Sequence, residues 1–226
     1  MTTRSGGVSG GAFATLNLGA TTVDDPASVA ANRAHLRRAA ALPGDPVWLR
    51  QVHGTCVLRA DAARDGAPPE ADGSWTDRVG VVCVVMAADC LPILLARRDG
   101  GAVAALHAGW RGLAAGVIDA GLAALPGGGD AYQAWLGARI GPDHFLVHDD
   151  VRAAFADDAD AAAFRLAADG RWHGDLGALA GIRLRRNGVA VFDSGLCTAS
   201  DGDRFFSHRR DGPCGRMAAL IWRMSG

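Results

Sequence analysis

The sequence predicts one mixed α and β domain, and three observations carry that prediction. Three runs, 79-VGVVCVVM-86, 91-LPILLA-96 and 102-AVAAL-106, are apolar on both faces, as central strands covered by a layer on each side would be. Segments of near-helical apolar spacing stand before and after them, closed by glycine or proline. With 226 residues, 49% of them hydrophobic, and neither repeat nor linker, the chain can bury a substantial core and reads as a single domain over residues 1–226.

The elements follow in order. Asp25-Pro26 opens a helix with proline at a tolerated first position; Val29, Leu36 and Leu42 supply its apolar face, and Pro43-Gly44 stops it. A strand over 46-PVWLRQV-52 ends at His53-Gly54, and the turn-rich 62-AARDGAPPEADGS-74 reads as a surface loop. The three central strands come next. After His107, Gly109 permits a sharp turn, and the segment from Trp110 to Leu125 places Leu113, Val117, Leu122 and Leu125 near helical spacing before 126-PGGG-129 ends it. A strand over 133-QAWLGARI-140 precedes an alanine-rich helical stretch with only a weak apolar face. A helix from Asp175 to Arg186 stops at Asn187-Gly188, and strands 189-VAVF-192 and 217-MAALIW-222 close the chain.

Composition excludes several functions. The net charge is -1 from 23 basic and 24 acidic residues, without a block of like charge, so the chain carries no electrostatic footprint for nucleic acid or anionic lipid. It contains no lysine, and Glu70 is its only glutamate, which removes Schiff-base chemistry, a pyridoxal lysine and a Walker-type phosphate loop. Any working cation is arginine or a metal. The start, MTTRSGGVSGG, has no apolar secretion segment and no run is long enough to cross a bilayer, so a cytoplasmic protein is expected. Five cysteines, odd in number and without a CxxC pair, are not expected to form disulfides.

Two apolar runs end abruptly in reactive groups: VVMAA at Asp89-Cys90, and AVAAL at His107. His53 ends a third. Imidazole and thiolate suit zinc, whose catalytic sites have three protein ligands and an open position. The separations, thirty-seven and seventeen residues, are not those of a compact finger. A second chemistry fits the same residues: Cys90 as nucleophile, His107 or His53 as its base, and Asp89 as orienter. Taken singly, each residue is better explained without a site: His53 by a hydrogen-bonded turn, Cys90 by a core thiol and His107 by a buried, satisfied histidine. It is the three together, at the ends of strands expected to be adjacent, that point to one.

The strings 51-QVHG-54, 88-ADCLPILL-95, 107-HAGWRG-112 and 206-FSHRRDGPCGRMAALI-221, preceded by 6-GGVSGGAFATLNLG-19, closely resemble the YfiH-type family. Its members have been called polyphenol oxidases, or laccase domain proteins, and purine nucleoside phosphorylases. The resemblance implies an α+β single domain, a layered sandwich of two mixed sheets flanked by helices. It also implies a metal, usually zinc, on His53, Cys90 and His107, with Asp89 behind them orienting a ligand. The implied substrates are small molecules: adenosine, inosine or methylthioadenosine together with phosphate, and deamination of adenosine as a further reaction.

Other residues take roles under that resemblance. Arg111, with Gly112 at the start of the helix after His107, would hold phosphate. Arg209, Arg210 and Arg216 offer further guanidinium forks, and Asn17 in LNLG and Asp72 in the loop are candidates for substrate contact. This chain departs from the family pattern at Asp143 and His144, where a cysteine is frequent, at His208, where tyrosine is frequent, and at Cys214, where threonine is frequent. The alternative the family leaves is a cysteine or zinc hydrolase of an amide bond, such as one that edits peptidoglycan precursors. Four-copper chemistry needs His-x-His pairs, and none of the seven histidines forms one; phenol oxidation would then arise from copper bound adventitiously at the His/His/Cys site.

Overall fold

The computed structural model describes residues 1–62, 66–155 and 160–225. Helix α1 (Pro26–Ala39) starts where Asp25 caps it, its carboxylate accepting the N–H groups of Ala27 and Ser28. Strands β1 (Pro46–Val47), β2 (Val57–Arg59), β3 (Gly73–Thr76), β4 (Val82–Ala87), β5 (Leu91–Arg97) and β6 (Val103–Ala108) follow. Then come α2 (Trp110–Ala115), α3 (Val117–Ala124), β7 (Tyr132–Leu136), β8 (Leu146–Val147), α4 (Asp149–Ala153), β9 (Phe164–Leu166) and β10 (Trp172–Gly174). The chain closes with α5 (Leu176–Arg186), β11 (Ala190–Asp193), α6 (His208–Asp211) and β12 (Met217–Trp222).

Two mixed sheets lie face to face. One has the order β1-β4-β12 and the other β11-β7-β5-β6-β3-β2, each combining parallel and antiparallel pairs. Alternation along the strands builds the layers. In β4, Cys83 and Val85 pack with Ala105 of β6 and Ala219 of β12 between the sheets, while Val84 turns the other way to Leu36 of α1 and Leu18. In β6, Ala104 and Leu106 turn to Leu113, Ile118 and Leu179 on the far helices. The order is therefore helix, sheet, sheet, helices, which explains why β4 and β6 are buried along their whole length. Each Val, Leu or Ile so covered contributes about 1.5–3 kcal/mol.

The structure corrects several element expectations. The strand expected over 46–52 stops at Val47; beyond it the Arg50 N–H goes to the Pro69 carbonyl, and the N–H groups of Val52, His53 and Gly54 go to the Asp72 carboxylate. The Gln51 side chain then gives Met86 of β4 the pair of hydrogen bonds, 2.8 Å each, that a longer β1 would have supplied. The expected loop over 62–74 lies outside the described residues at 63–65, and its end is the unforeseen strand β3. The helix from Trp110 to Leu125 is two helices, broken at Gly116, whose left-handed backbone (φ 97°, ψ 34°) caps α2.

The strand expected over 133–140 ends at Leu136, where Gly137 turns to donate its N–H to Pro92. Of the alanine-rich helical stretch the described residues form α4 and a short 3-10 turn over Asp160–Ala163. Positions 156–159 lie outside the described residues, and beyond them β9 joins β8 and β10 in a small antiparallel sheet, with Phe164 against Phe155 at 5.9 Å. All five cysteines are free. Among the described residues no helix is long and apolar enough to cross a membrane.

Candidate active site

The bend at Asp89-Cys90 is where the chain leaves the smaller sheet at the end of β4 and enters the larger at the start of β5. The antiparallel register pairs Pro92 with His107, so Cys90 stands just beyond β5, beside the end of β6. His53 reaches the same place from the turn after β1. Its backbone (φ 61°), like that of Asp89 (φ 95°), is in the left-handed region, which costs a non-glycine residue on the order of 1–3 kcal/mol and holds only where surroundings enforce it. The ligand atoms of His53, Cys90 and His107 all lie within 4.8 Å of one another. His53 Nε2 is 3.7 Å from Cys90 Sγ, and the two imidazoles meet edge to face at 4.9 Å.

Asp72 holds this arrangement. Fully buried, it accepts the N–H groups of Val52, His53 and Gly54 at 3.1, 2.9 and 2.7 Å, and its Oδ1 lies 2.8 Å from His107 Nδ1. A carboxylate only accepts, so Nδ1 carries a proton, and Nε2 is the nitrogen of His107 that an ion can take once it is deprotonated. Burial alone would raise the Cys90 thiol, but the neighbouring His107 and His53 outweigh it and bring it down to about 6. Burial likewise opposes charge on His107, while Cys90 and Asp72 push it up to about 9. Gly109 leaves the space: a Cβ there would stand 2.7 Å from His53 Cδ2 and 3.0 Å from Cys90 Sγ. Gly112 lets α2 lie against the loop, its Cβ position being 2.9 Å from the Gly54 carbonyl oxygen.

Two imidazoles and a low-lying thiol are a donor set that zinc, or copper, accepts. Among the described residues this is the one group of three such ligands in reach of a common ion. The cluster lines a cavity of about 400 Å³, together with Arg111, Arg216, Gln51, Thr21, Met86 and His208. A larger groove of about 480 Å³ beside α1, lined by Arg33, Arg37, Arg38 and Trp48, contains none of these ligands.

Of the residues expected in the site, His53, Cys90, His107 and Arg111 come together, with Arg216. Asp72 is there in a different capacity, as the anchor of His53 and His107. Asp89 is placed otherwise: its oxygens accept from Thr198 Oγ1 at 2.6 Å and from the backbone N–H of Arg209 at 2.7 Å. It fixes the bend, and the histidine-orienting contact belongs to Asp72. Asn17 is fully buried, bonded to Thr22, Asp24, and the N–H groups of Gly19 and Arg216, so it ties the N-terminal loop to β12. Arg210 points its donors at Asp211 and the carbonyls of Thr198, Ala199 and Phe205. Arg209 reaches the carbonyls of His144 and Leu146.

Gln51, Gly109 and His208 were not expected. Gly109 had a signal in the sequence as the hinge after His107, Gln51 as part of the QVHG string and His208 as a departure from the family pattern, but the place of each in the cavity is visible only in three dimensions.

An α+β sandwich that brings two histidines and a cysteine together between its sheets defines the class: a single-domain protein with a candidate metal-dependent active site. A family model described as multi-copper polyphenol oxidoreductase laccase matches residues 1–224. The chain belongs to that family. It is similar to a purine nucleoside phosphorylase of Pseudomonas aeruginosa, 48% identical over 98% of this chain and 91% of that one. The purine nucleoside phosphorylase YfiH of Escherichia coli is 45% identical over 97% and 91%. The fold is shared with a Neisseria meningitidis protein of the DUF152 family (TM-score 0.95, 45% identity, covering 100% and 93%) and with YlmD from Geobacillus stearothermophilus (TM-score 0.89, 32% identity, covering 99% and 90%).

Proposed function

We propose that this chain is a purine nucleoside phosphorylase: phosphate oxygen bonds to ribose C1′, the C1′–N9 bond breaks, and the purine leaves with that electron pair and takes up a proton. The observation that carries the reading is the convergence of His53, Cys90 and His107 in one cavity with Arg111 and Arg216; the names of the relatives give the reaction. The three ligands would hold zinc, with copper as the competing ion. A zinc ion held there supplies Lewis acidity to an oxygen in the cavity.

The remaining work falls to the chain. Arg111 lines the cavity and Arg216 is braced by the carbonyls of Cys214 and Gly215, so both forks can take phosphate oxygens. The side chains carry this role, because α2 has only six residues and offers little of the helix dipole a longer helix would. Asp72 holds His107 in one tautomer and His53 in its strained turn. The test is incubation of metal-defined protein with adenosine, inosine and methylthioadenosine, with and without phosphate. Ribose 1-phosphate formed only with phosphate supports the reading; inosine from adenosine without phosphate would add deamination.

A second reading rests on one observation, the chain Cys90–His107–Asp72 of lowered thiol, raised imidazole and buried carboxylate. This is the order of a cysteine nucleophile, its base and the base's orienter, suited to an amide bond. Turnover independent of both phosphate and metal would favour it. Phenol oxidation that rises with added copper and disappears in zinc-loaded protein would be the adventitious activity.

A further inference from the structure

A second chamber adjoins the first. It measures about 180 Å³ and shares Ala88, Cys90 and His208 with the larger cavity; Trp110, Ile140, Phe145 and Leu176 supply its apolar walls. Asp89 and Arg209 also line it, the Asp89 oxygens taken by Thr198 and the Arg209 N–H, and the Arg209 side chain bonded to the carbonyls of His144 and Leu146. Its size falls below the ~300–1,000 Å³ that holds a whole drug-sized ligand, and suits one flat ring system. Trp110 is the partition: Arg111, which lines the larger cavity, lies over the indole at 4.5 Å. One site thus has a half holding Arg111 and Arg216 beside the ligand cluster and an aromatic half next to it, with Cys90 and His208 bordering both.

His208 has one edge committed. Its Nδ1 lies 2.9 Å from the Gly212 carbonyl oxygen, which only accepts, so Nδ1 holds the proton and the neutral ring keeps Nε2 as an acceptor. An acceptor at the rim of an apolar, aromatic chamber is matched by a flat heterocycle with an N–H on its edge. We infer that the Trp110–Phe145 chamber binds the purine base, that His208 accepts a hydrogen bond from the base's edge, and that ribose and phosphate occupy the larger cavity. This inference rests on the nucleoside reading above and divides the substrate between the two halves.

The experiment measures equilibrium binding of free adenine, of unsubstituted purine and of ribose 1-phosphate to the zinc-loaded protein and its variants. Trp110→Ala should weaken adenine roughly tenfold or more, as loss of a stacking partner does, and ribose 1-phosphate by clearly less, that smaller loss coming through Arg111, which rests on the indole. Trp110→Phe, which keeps an aromatic face for both, should retain adenine. His208→Phe keeps the bulk and removes the acceptor, so it should abolish the preference for adenine over unsubstituted purine. Adenine binding equal in wild type and Trp110→Ala, or equal losses of adenine and ribose 1-phosphate, would overturn the chamber assignment while leaving the nucleoside reading in place. An unchanged preference in His208→Phe would overturn the role of His208. A wild-type protein that binds neither adenine nor ribose 1-phosphate, and cleaves no nucleoside, would sink the nucleoside reading itself and this inference with it.

Discussion

Asp72 Oδ1 lies 2.8 Å from His107 Nδ1, and the same carboxylate accepts three consecutive N–H groups from the turn that carries His53. One buried carboxylate therefore positions two of the three candidate ligands. Asp72→Asn replaces an acceptor oxygen with a donor, leaving a buried N–H unpaired. It should lower metal affinity about 10–100-fold, the usual effect of losing a ligand's orienting partner, measured by competition with a chromogenic chelator. Burial opposes charge on Asp72, but His107 and the Gly54 N–H outweigh it and hold the carboxyl below its ordinary value. Its contribution to stability is then full above ~4 and lost as pH falls through the depressed value. The stability gap between wild type and Asp72→Asn should be about 2–4 kcal/mol near neutrality and narrow in acid, as read by denaturant unfolding. A gap independent of pH would contradict this.

Gly109 predicts a different failure. A methyl at that position meets His53 Cδ2 at 2.7 Å and Cys90 Sγ at 3.0 Å, and His53, being exposed, is the group free to move. Gly109→Ala should fold and lose metal, as seen by metal content per chain beside an unchanged circular dichroism spectrum. Full metal content in that variant would show that the cluster relaxes without cost.

The layers were legible because burial on both faces leaves a compositional trace: β4, β5, β6 and β12 are near-continuous apolar runs. The cluster was legible as three reactive residues at the ends of apolar runs. Asp72 was visible as a loop residue and a candidate for substrate contact but not as an anchor, since its partners are a turn some twenty positions earlier and a strand end thirty-five positions later. β2 and β3 are too short to show a period, and the Gln51 bridge to Met86 replaces strand bonds with side-chain ones. Asn17 and Arg210 look like site residues because they are polar within ordered motifs; only their partners reveal that they serve the fold.

The thiol and imidazole make a pH prediction for the metal-free protein. Cys90, lowered to about 6, contributes stability above its unfolded value and loses it as pH falls through about 6; His107, raised to about 9, contributes below its unfolded value and loses it as pH rises through about 9. The charged pair is therefore confined to roughly pH 6–9. Alkylation of Cys90 by iodoacetamide, followed by peptide mass spectrometry, should accelerate with a midpoint near 6. In His107→Ala the midpoint should move up toward the ~8.5 of a free thiol. Identical profiles in the two proteins would remove His107 as the cause.

Arg111 and Arg210 were both candidates for phosphate, and the structure separates what each has to spare. Arg210 directs its donors to Asp211 and three backbone carbonyls, whereas Arg111 lines the cavity and rests on the Trp110 face. Arg111→Lys keeps the charge and loses the planar fork, and a lysine does not replace bidentate oxyanion contacts. The Michaelis constant for phosphate should rise roughly tenfold, the scale of one lost charge-assisted hydrogen bond, with a smaller change for the nucleoside and unaltered zinc content. Arg210→Lys should instead lower the unfolding temperature and leave phosphate saturation near the wild-type value, because the bonds it breaks lie within the loop from Thr198 to Asp211. The two variants thus carry opposite signatures, kinetic for one and thermal for the other. If Arg210→Lys raised the phosphate constant while Arg111→Lys did not, the anion would have to sit on the α6 side of the cavity, and the assignment of Arg111 would be wrong.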